Sequence, residues 1–536
     1  MTSTINQRRS FWAWGLESEE PTDAQRREHA GELSKRFGVE VVAPPIPRAE
    51  NLELRAPRVK APASIASFCY NDNYERALHS HSNNDRDSAV FGIFPNPPDI
   101  VAHPSNEDEL EAVLDWCDSN GHVAIPFGGG SSSVGGVTPP EDQDVVVTID
   151  MDRFNKVLEI DDTSRAARIQ AGTFGPALEA QLRPHGLTLR HFPQSFTGST
   201  LGGWIATRSG GHYATNHTHI DDFVESIRMV TPAGIWESRR LPGSGAGPSP
   251  DRLAIGSEGI LGIITEAWMR IQARPRFRAS AGVTFSSLQS AAEAARHIVQ
   301  AKLWPANCRV LDPGEAIAAA GLDGRQALLV LGFESAEVPQ GDLMRAAIAI
   351  ARECEGSIDE DAIKISGAPG GETGRQGAVG NWRDSFLRAP YLRNATVGLG
   401  LVGETVETAI TWDQWPQLDA AVREALHGAL RRLCGGGSVT CRFTHVYPDG
   451  PAPYYTFEGM GRLGAEIEVF DELRQAGADA IIAAGGTITH HHAVGRLHRP
   501  WYDRQRPDPF AQALRAAKGA VDPKGVLNPG VLIDPA

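Results

Sequence analysis

Pro126-Phe-Gly-Gly-Gly-Ser-Ser-Ser-Val-Gly-Gly136 is the stretch on which the reading of this chain turns. It follows directly on His122-Val-Ala-Ile125, an apolar run that predicts a strand. Three successive glycines carry no Cβ, so the backbone can enter conformations closed to other residues and approach a ligand closely. Successive N–H groups in such a turn can converge on an anion, and the serines add hydroxyl donors. A pyrophosphate is the simplest ligand. A plain glycine-rich surface turn is the alternative, and only the neighbouring sequence separates the two.

Four further stretches have the composition of a cofactor cradle: Gln194-Ser-Phe-Thr-Gly-Ser-Thr-Leu-Gly-Gly203, Ala206-Thr-Arg-Ser-Gly-Gly211, Gly256-Ser-Glu-Gly-Ile-Leu-Gly-Ile-Ile-Thr-Glu266, and Pro98-Asp-Ile-Val-Ala-His-Pro104, which pairs with the glycine loop. Each alone is weak evidence; in this order and spacing they support one another. The candidate cofactor contacts in the glycine loop are Pro126, Phe127, Gly128, Gly129, Gly130, Ser131 and Ser132. The second stretch adds Gln194, Ser195, Phe196, Thr197, Gly198, Ser199 and Thr200, and the third Thr207, Arg208, Ser209 and Gly210. Glu258, Gly259, Ile260, Leu261, Gly262, Ile263 and Ile264 complete the set.

At 536 residues the chain is too long for one core and divides into two or three domains. A hydrophobic content of 41% and 22% charged residues are those of a globular protein. The net charge of -15 argues against nucleic acid as a partner, though not against a local phosphate pocket. Six cysteines without C-x-x-C spacing suggest reduced thiols in a cytoplasmic setting, with neither disulfides nor a zinc site. No apolar run is long enough to span a bilayer. Gln7-Arg-Arg-Ser-Phe-Trp12 has a superficial likeness to a twin-arginine signal, but Glu17, Glu19 and Glu20 stand where an apolar segment should follow.

The pattern of elements predicts an α+β protein. Residues 1–94 read as a helical N-terminal region, and residues 95–275 as alternating strands and helices. Residues 276–495 read as a second α+β domain with helices on one face of a sheet, and 496–536 as a segment returning to the first domain. Ser105 with Asp108 is read as a capping box opening a helix that ends at Gly121. Leu241–Pro250 and Gly367–Gly377 read as loops, the second as a disordered stretch or a lid.

Two groups of residues have catalytic chemistry. His490, His491 and His492 are adjacent, and histidine titrates near neutrality, which suits proton transfer. A solvated turn and a metal site are the other readings. On a regular strand His490 and His492 face one way and His491 the other, so three-fold ligation needs an irregular backbone, and no resident metal is expected. Tyr454 and Tyr455 stand together in Pro453-Tyr-Tyr-Thr-Phe457, where an aromatic pair serves either the core or the chemistry.

The whole set resembles the FAD-binding domain of the vanillyl-alcohol oxidase and p-cresol methylhydroxylase superfamily. Within it, the chain is most similar to the alkyldihydroxyacetonephosphate synthase family. Phe11-Trp-Ala-Trp-Gly15, Phe192-Pro-Gln-Ser195, Gly203-Trp-Ile-Ala-Thr-Arg208, Met229-Val-Thr-Pro-Ala-Gly234, Gly403-Glu-Thr-Val-Glu-Thr408 with Trp412-Asp413, and Thr489-His-His-His-Ala-Val-Gly-Arg-Leu497 carry the likeness, with Asp522-Pro-Lys-Gly-Val-Leu-Asn-Pro-Gly530 at the end. The resemblance implies two α+β subdomains holding dissociable FAD beneath a substrate cap. It implies exchange of the acyl chain of acyl-dihydroxyacetone phosphate for a fatty alcohol, giving an ether lipid without net redox change. An FAD-linked oxidase or dehydrogenase of a 2-hydroxy acid is the other activity such a fold carries.

The same resemblance assigns proton transfer to the histidine triplet and to Tyr454, with Tyr455 one residue away. It assigns the substrate phosphate to Arg393, a hydroxyl contact to Thr405, a further role in activity to Arg309, and the flavin edge to His191. Lipid substrates, a homodimer and peripheral membrane contact are the expected partners and associations. Gln194 stands where an acid is usual, Gly198 where a bulkier apolar residue is usual, and Gly211–His219 is less basic than in the family. These departures bear on the substrate more than on FAD.

Overall fold

The computed structural model describes residues 8–82, 86–213, 219–366, 388–461 and 464–534. The expected lid at Gly367–Gly377 and most of the 211–219 departure lie outside these residues.

Three larger sheets organise the chain. The first runs Cys69–Tyr70, Ile100–Ala102, Val146–Asp150, Val123–Phe127, with the last three strands parallel. Its three parallel strands are buried on both faces, as parallel strands under helical cover are. Helix Glu107–Asn120 packs Leu110, Val113, Leu114 and Cys117 onto it and ends at Gly121, whose φ of 66° is the left-handed region that glycine adopts at a helix end. The helix opens one residue later than the spacing suggests. Asn106 Oδ1 accepts the Glu109 N–H at 2.9 Å, while the Glu109 carboxylate accepts the N–H and hydroxyl of Ser105. Asn competes with Ser for the cap, and Glu109 rather than Asp108 is long enough to reach back.

The second sheet is antiparallel, ordered Val157–Asp161, Ala166–Gln170, Ile263–Arg270, Val224–Thr231, Gly234–Glu237. Helices Gly175–Leu182 and Leu201–Thr207 cover it around Leu178, Leu182, Leu201 and Trp204.

The third sheet has seven antiparallel strands: Lys364–Ile365, Phe277–Phe285, Ala327–Ser335, Asn307–Leu311, Ser438–Val446, Pro451–Met460, Leu401–Glu407. Helices Leu288–Gln300, Gly341–Glu353, Trp415–Cys434 and Glu466–Ala483 bury one face of it. Alternation then decides which side chains are left for chemistry. Cys308, Val310, Val402, Val406, Cys441, Phe443, Tyr455 and Phe457 enter the helix-covered core. Their neighbours Asn307, Arg309, Thr405, Glu407, Arg442 and Tyr454 face the other way.

The N-terminal region carries one long helix, Asp23–Phe37, and short ones at Asn73–Leu78 and Arg86–Val90. The chain's last described turn lies against the first sheet, where Leu527 bridges Ala124 in parallel.

Candidate active site

The glycine loop is pressed against residues 198–200 so closely that side chains are excluded. A Cβ on Gly128 would stand 2.3 Å from Thr200 Oγ1, and one on Gly129 1.8 Å from the Gly198 carbonyl oxygen. Beside this contact runs a groove of about 720 Å³, mouth included, between the first two sheets. Of the residues expected at the cofactor, Pro126, Phe127, Gly128, Ser132, Thr200, Thr207, Glu258, Gly259, Gly262, Ile263 and Ile264 line it. Gly136, Gly203 and Ala206, within the cradle stretches though not among the candidate contacts, line it as well, as do Met151, Ala171 and Asn528, which lie outside those stretches.

The remaining expected contacts support the groove from behind. Trp204 Nε1 donates to Ser199 Oγ at 2.7 Å, and Ser199 Oγ donates to the Ser195 carbonyl at 2.8 Å. Thr197 Oγ1 meets Tyr391 Oη at 3.2 Å, and Phe196 stacks near Phe192 and Trp204. Arg208, at φ 53°, turns outward to Asp221 at 2.9 Å. Ile260 and Leu261 are core residues, and Gly129, Gly130, Ser131, Gln194 and Gly198 do not line the groove. The small residue at 198 has a local cause: the Trp14 ring lies 2.8 Å from where its Cβ would be. His191 is also off the groove wall. Its Nε2 pairs with Ser209 Oγ at 2.7 Å, and burial, with His219 adding to it, pushes the imidazole down to about 3.

The C-terminal turn locks the cradle. Asn528 Nδ2 donates to the carbonyls of Gly136 (3.0 Å) and Glu258 (2.8 Å), and Arg496 donates to Gly135 O and Asn528 Oδ1, each at 2.8 Å. Glu258 joins the cradle to the histidine loop: its carboxylate accepts the N–H groups of Val494 (2.9 Å) and Gly495 (2.8 Å). Burial pushes it up to about 7 against those bonds.

The second centre lies on the other face of the third sheet, which the helix Pro313–Ala320 covers only in part. Glu407 is 1% exposed and accepts the backbone N–H groups of His490 (2.8 Å), His491 (3.1 Å) and His492 (3.0 Å), with the Thr489 hydroxyl at 2.6 Å. Burial disfavours its charge. Electrostatic attraction to the His491 and His492 rings and a hydrogen bond from His491 outweigh that and hold it well below its ordinary value. One carboxylate therefore shapes the loop that presents all three imidazoles, and Ala493 closes it at φ 72°.

Tyr454 reaches this loop and Tyr455 does not. The Tyr454 ring is 6.0 Å from His491 and 5.5 Å from His492, with the Arg442 guanidinium 4.1 Å over it. Burial raises its phenol, while Arg442 and a hydrogen bond with Thr405 pull it back. Tyr455 is buried in the helix-covered core near Asp419 and Arg423. Arg309 is 3% exposed and donates to the His212 carbonyl at 3.2 Å; burial and Arg442 push it down to about 9. Arg393 stands apart, on a turn at Arg393–Ala395, 3.4 Å from Asp87 and with its guanidinium 5.5 Å from the Phe470 ring.

Three more groups join the triplet. Tyr447 Oη hydrogen-bonds His490 Nε2 at 2.5 Å and His219 Nε2 at 3.2 Å. The His445 ring is 4.5 Å from that of His490. Burial drives His445 and His490 well below neutrality and His492 to about 3, each with neighbouring imidazoles adding to the shift. His445, His490 and His492 are thereby disposed to accept protons, beside a phenol and two guanidinium groups.

Comparison with known proteins agrees with this division. An FAD binding domain model matches residues 98–238, and the model of the C-terminal domain of FAD linked oxidases matches residues 274–532. FAD is the cofactor. The chain is 31% identical to an alkyldihydroxyacetonephosphate synthase of Dictyostelium discoideum, covering 86% of this chain and 78% of that one. It is 30% identical to one of Caenorhabditis elegans (85% and 79%), and 26% identical to a glycolate oxidase subunit of Bacillus subtilis (82% and 89%). A solved alkyldihydroxyacetonephosphate synthase shares the fold, with a TM-score of 0.75, 24% identity, and 97% of this chain and 98% of that chain covered. The chain belongs to the alkyldihydroxyacetonephosphate synthase family.

Proposed function

We propose that this enzyme exchanges the acyl chain of acyl-dihydroxyacetone phosphate for a fatty alcohol, forming an ether lipid without net redox change. The observation that carries the reading is the convergence of Tyr454, His491 and His492 beside Arg442, on the sheet face opposite the four-helix layer. Relatives 31% and 30% identical to this chain bear the name of that activity.

The groove of Gly128, Thr200, Gly203, Glu258 and Asn528 would hold FAD, because its walls leave no room for side chains at the loop, and a glycine turn of this kind can direct backbone N–H groups at a pyrophosphate. Bound there, FAD supplies an electron-poor ring to a carbon beside it. This chain's own residues bind, orient and move protons. Arg393 takes the substrate phosphate through its fork of donors. Tyr454 and the imidazoles of the triplet take the proton from the carbon next to the ketone and return it later. Glu407 fixes the imidazoles, Thr405 orients the Tyr454 phenol, and Arg309 with Arg442 makes the floor of the site positive, which favours negative charge developing on the substrate oxygen.

The division into 1–94, 95–275, 276–495 and 496–536 is part of this reading, with the two matched domain models in support. So are a homodimer, a cytoplasmic setting consistent with six free cysteines, and peripheral membrane contact. No helix among the described residues is long and apolar enough to cross a membrane, and Leu392, beside Arg393, is 62% exposed.

Purified FAD-loaded protein incubated with palmitoyl-dihydroxyacetone phosphate and hexadecanol is expected to yield ether lipid and free palmitate without oxygen uptake. Reduction of a dye by 2-hydroxy acids, with no product from the lipid pair, would move the assignment to the oxidase activity of the more distant relatives.

A further inference from the structure

The imidazoles beside Tyr447 also meet the geometry of a different chemistry. One ring nitrogen from each of His445, His490 and His491 lies within 4.8 Å of the other two. Adjacent histidines on a regular strand cannot do this, because neighbours point to opposite faces. Here His490 and His491 lie on an irregular loop, and the third nitrogen comes from strand Ser438–Val446, just past the break in register between Phe443 and His445. His492 turns away to Tyr454.

His445 is 3% exposed. Its Nδ1 sits 3.1 Å from Thr444 Oγ1, and its Nε2 has no hydrogen-bond partner among the described residues. A buried polar atom left so is uncommon and points to something that binds it. His490 Nε2 is tied to Tyr447 Oη at 2.5 Å, which leaves Nδ1, 3.1 Å from His491 Nδ1. A partner on one nitrogen that fixes the tautomer and presents the other is how ligating imidazoles are held. Glu407, 3.2 Å from His491 Nδ1, supplies negative charge next to the group.

We propose that His445, His490 and His491 form a binding site for a borderline-soft divalent cation of the Zn²⁺ type, and that the ion, once bound, reversibly stops turnover. An all-imidazole donor set suits Zn²⁺, Co²⁺, Ni²⁺ and Cu²⁺ and disfavours Mg²⁺ and Ca²⁺, which want oxygen. The ion occupies nitrogens that otherwise carry the proton, so the metal is an inhibitor and not a resident cofactor. Nothing is oxidised or reduced; a proton on a ligating nitrogen leaves to solvent as the metal arrives. The inference rests on the cluster's geometry and holds whichever substrate the enzyme takes.

The test is a CoCl2 titration of the FAD-loaded full chain, followed by displacement with ZnCl2. The expected result is one Co²⁺ per chain with ligand-field bands of a low-coordinate nitrogen site and no thiolate charge-transfer band. Zn²⁺ should bleach those bands and stop turnover at the same occupancy, and a chelator should restore it. His445→Asn should weaken Co²⁺ binding at least about tenfold. Should that variant not fold, the wild-type spectrum decides, because the six cysteines are the competing soft donors and reveal themselves by thiolate bands. No ligand-field band, a thiolate band instead, or a band unchanged in folded His445→Asn protein would each overturn the proposal.

Discussion

Replacing Glu407 should unfold the histidine loop before it does anything else. The carboxylate is the acceptor for three consecutive backbone N–H groups and the Thr489 hydroxyl. Leaving one buried donor unsatisfied costs about 1–3 kcal/mol, so four set a ceiling of about 4–12 kcal/mol for Glu407→Ala. The imidazoles themselves are only partly buried, and water entering the vacated space restores some bonds. The expected loss is therefore about 3–5 kcal/mol. Glu407→Gln keeps one carbonyl oxygen but turns an NH2 group toward a backbone donor and loses the charge, for a loss of about 2 kcal/mol. The pH dependence has a definite sign. Because the folded value lies below the ordinary 4.5, the contribution is present above pH 4.5 and is lost as pH falls toward the folded value. Urea unfolding of the FAD-loaded variants, with turnover measured in parallel, reads all three effects. A Glu407→Ala protein within about 1 kcal/mol of wild type and fully active would refute the reasoning.

Tyr454→Phe should abolish turnover with the flavin spectrum unchanged, whereas Tyr455→Phe, in the core beyond the sheet, should keep near-normal turnover; the reverse order would exchange their roles. Gly129→Ala places a Cβ against the Gly198 carbonyl, so the protein should purify colourless and resist reconstitution with FAD; a yellow variant would contradict the cradle. Glu258, raised from 4.5 to about 7, binds more protons folded than unfolded between those values, so its contribution to stability falls by about 3 kcal/mol as pH rises through that window. Glu258→Gln should flatten that slope in urea midpoints measured across pH; an unchanged slope assigns it elsewhere.

The parts of the protein legible in the sequence are those set by local chemistry. Glycines at 128–130 announce a backbone approach because nothing else fits there, and the strand and helix periods of residues 415–460 are strong enough to read directly. The period of two also separates Tyr454 from Tyr455, once the helices are known to cover the face that takes Val439, Cys441 and Phe443. What escaped is long-range. Glu407 lies 83 residues before His490 in sequence, and its one visible signal is its place two residues after Thr405 on the same strand face. His445, at the end of its strand, and Tyr447, just past it, carry the same weak signal. The supporting roles of Ser195, Ser199 and His191 could not be told from cofactor contacts, because a hydroxyl that braces a helix and one that meets a ligand look alike as letters.

A crystal structure of the FAD-loaded enzyme with a non-cleavable alkyl analogue of the phosphorylated ketone tests the central claim most directly. The account predicts the phosphate on Arg393, the flavin ring in the groove beside Gly128, and the carbon next to the ketone between that ring and the Tyr454–histidine face, one bond or one bridging water from Tyr454 Oη or a triplet nitrogen. A ligand bound with Tyr454 and all three histidines turned away from that carbon would contradict it.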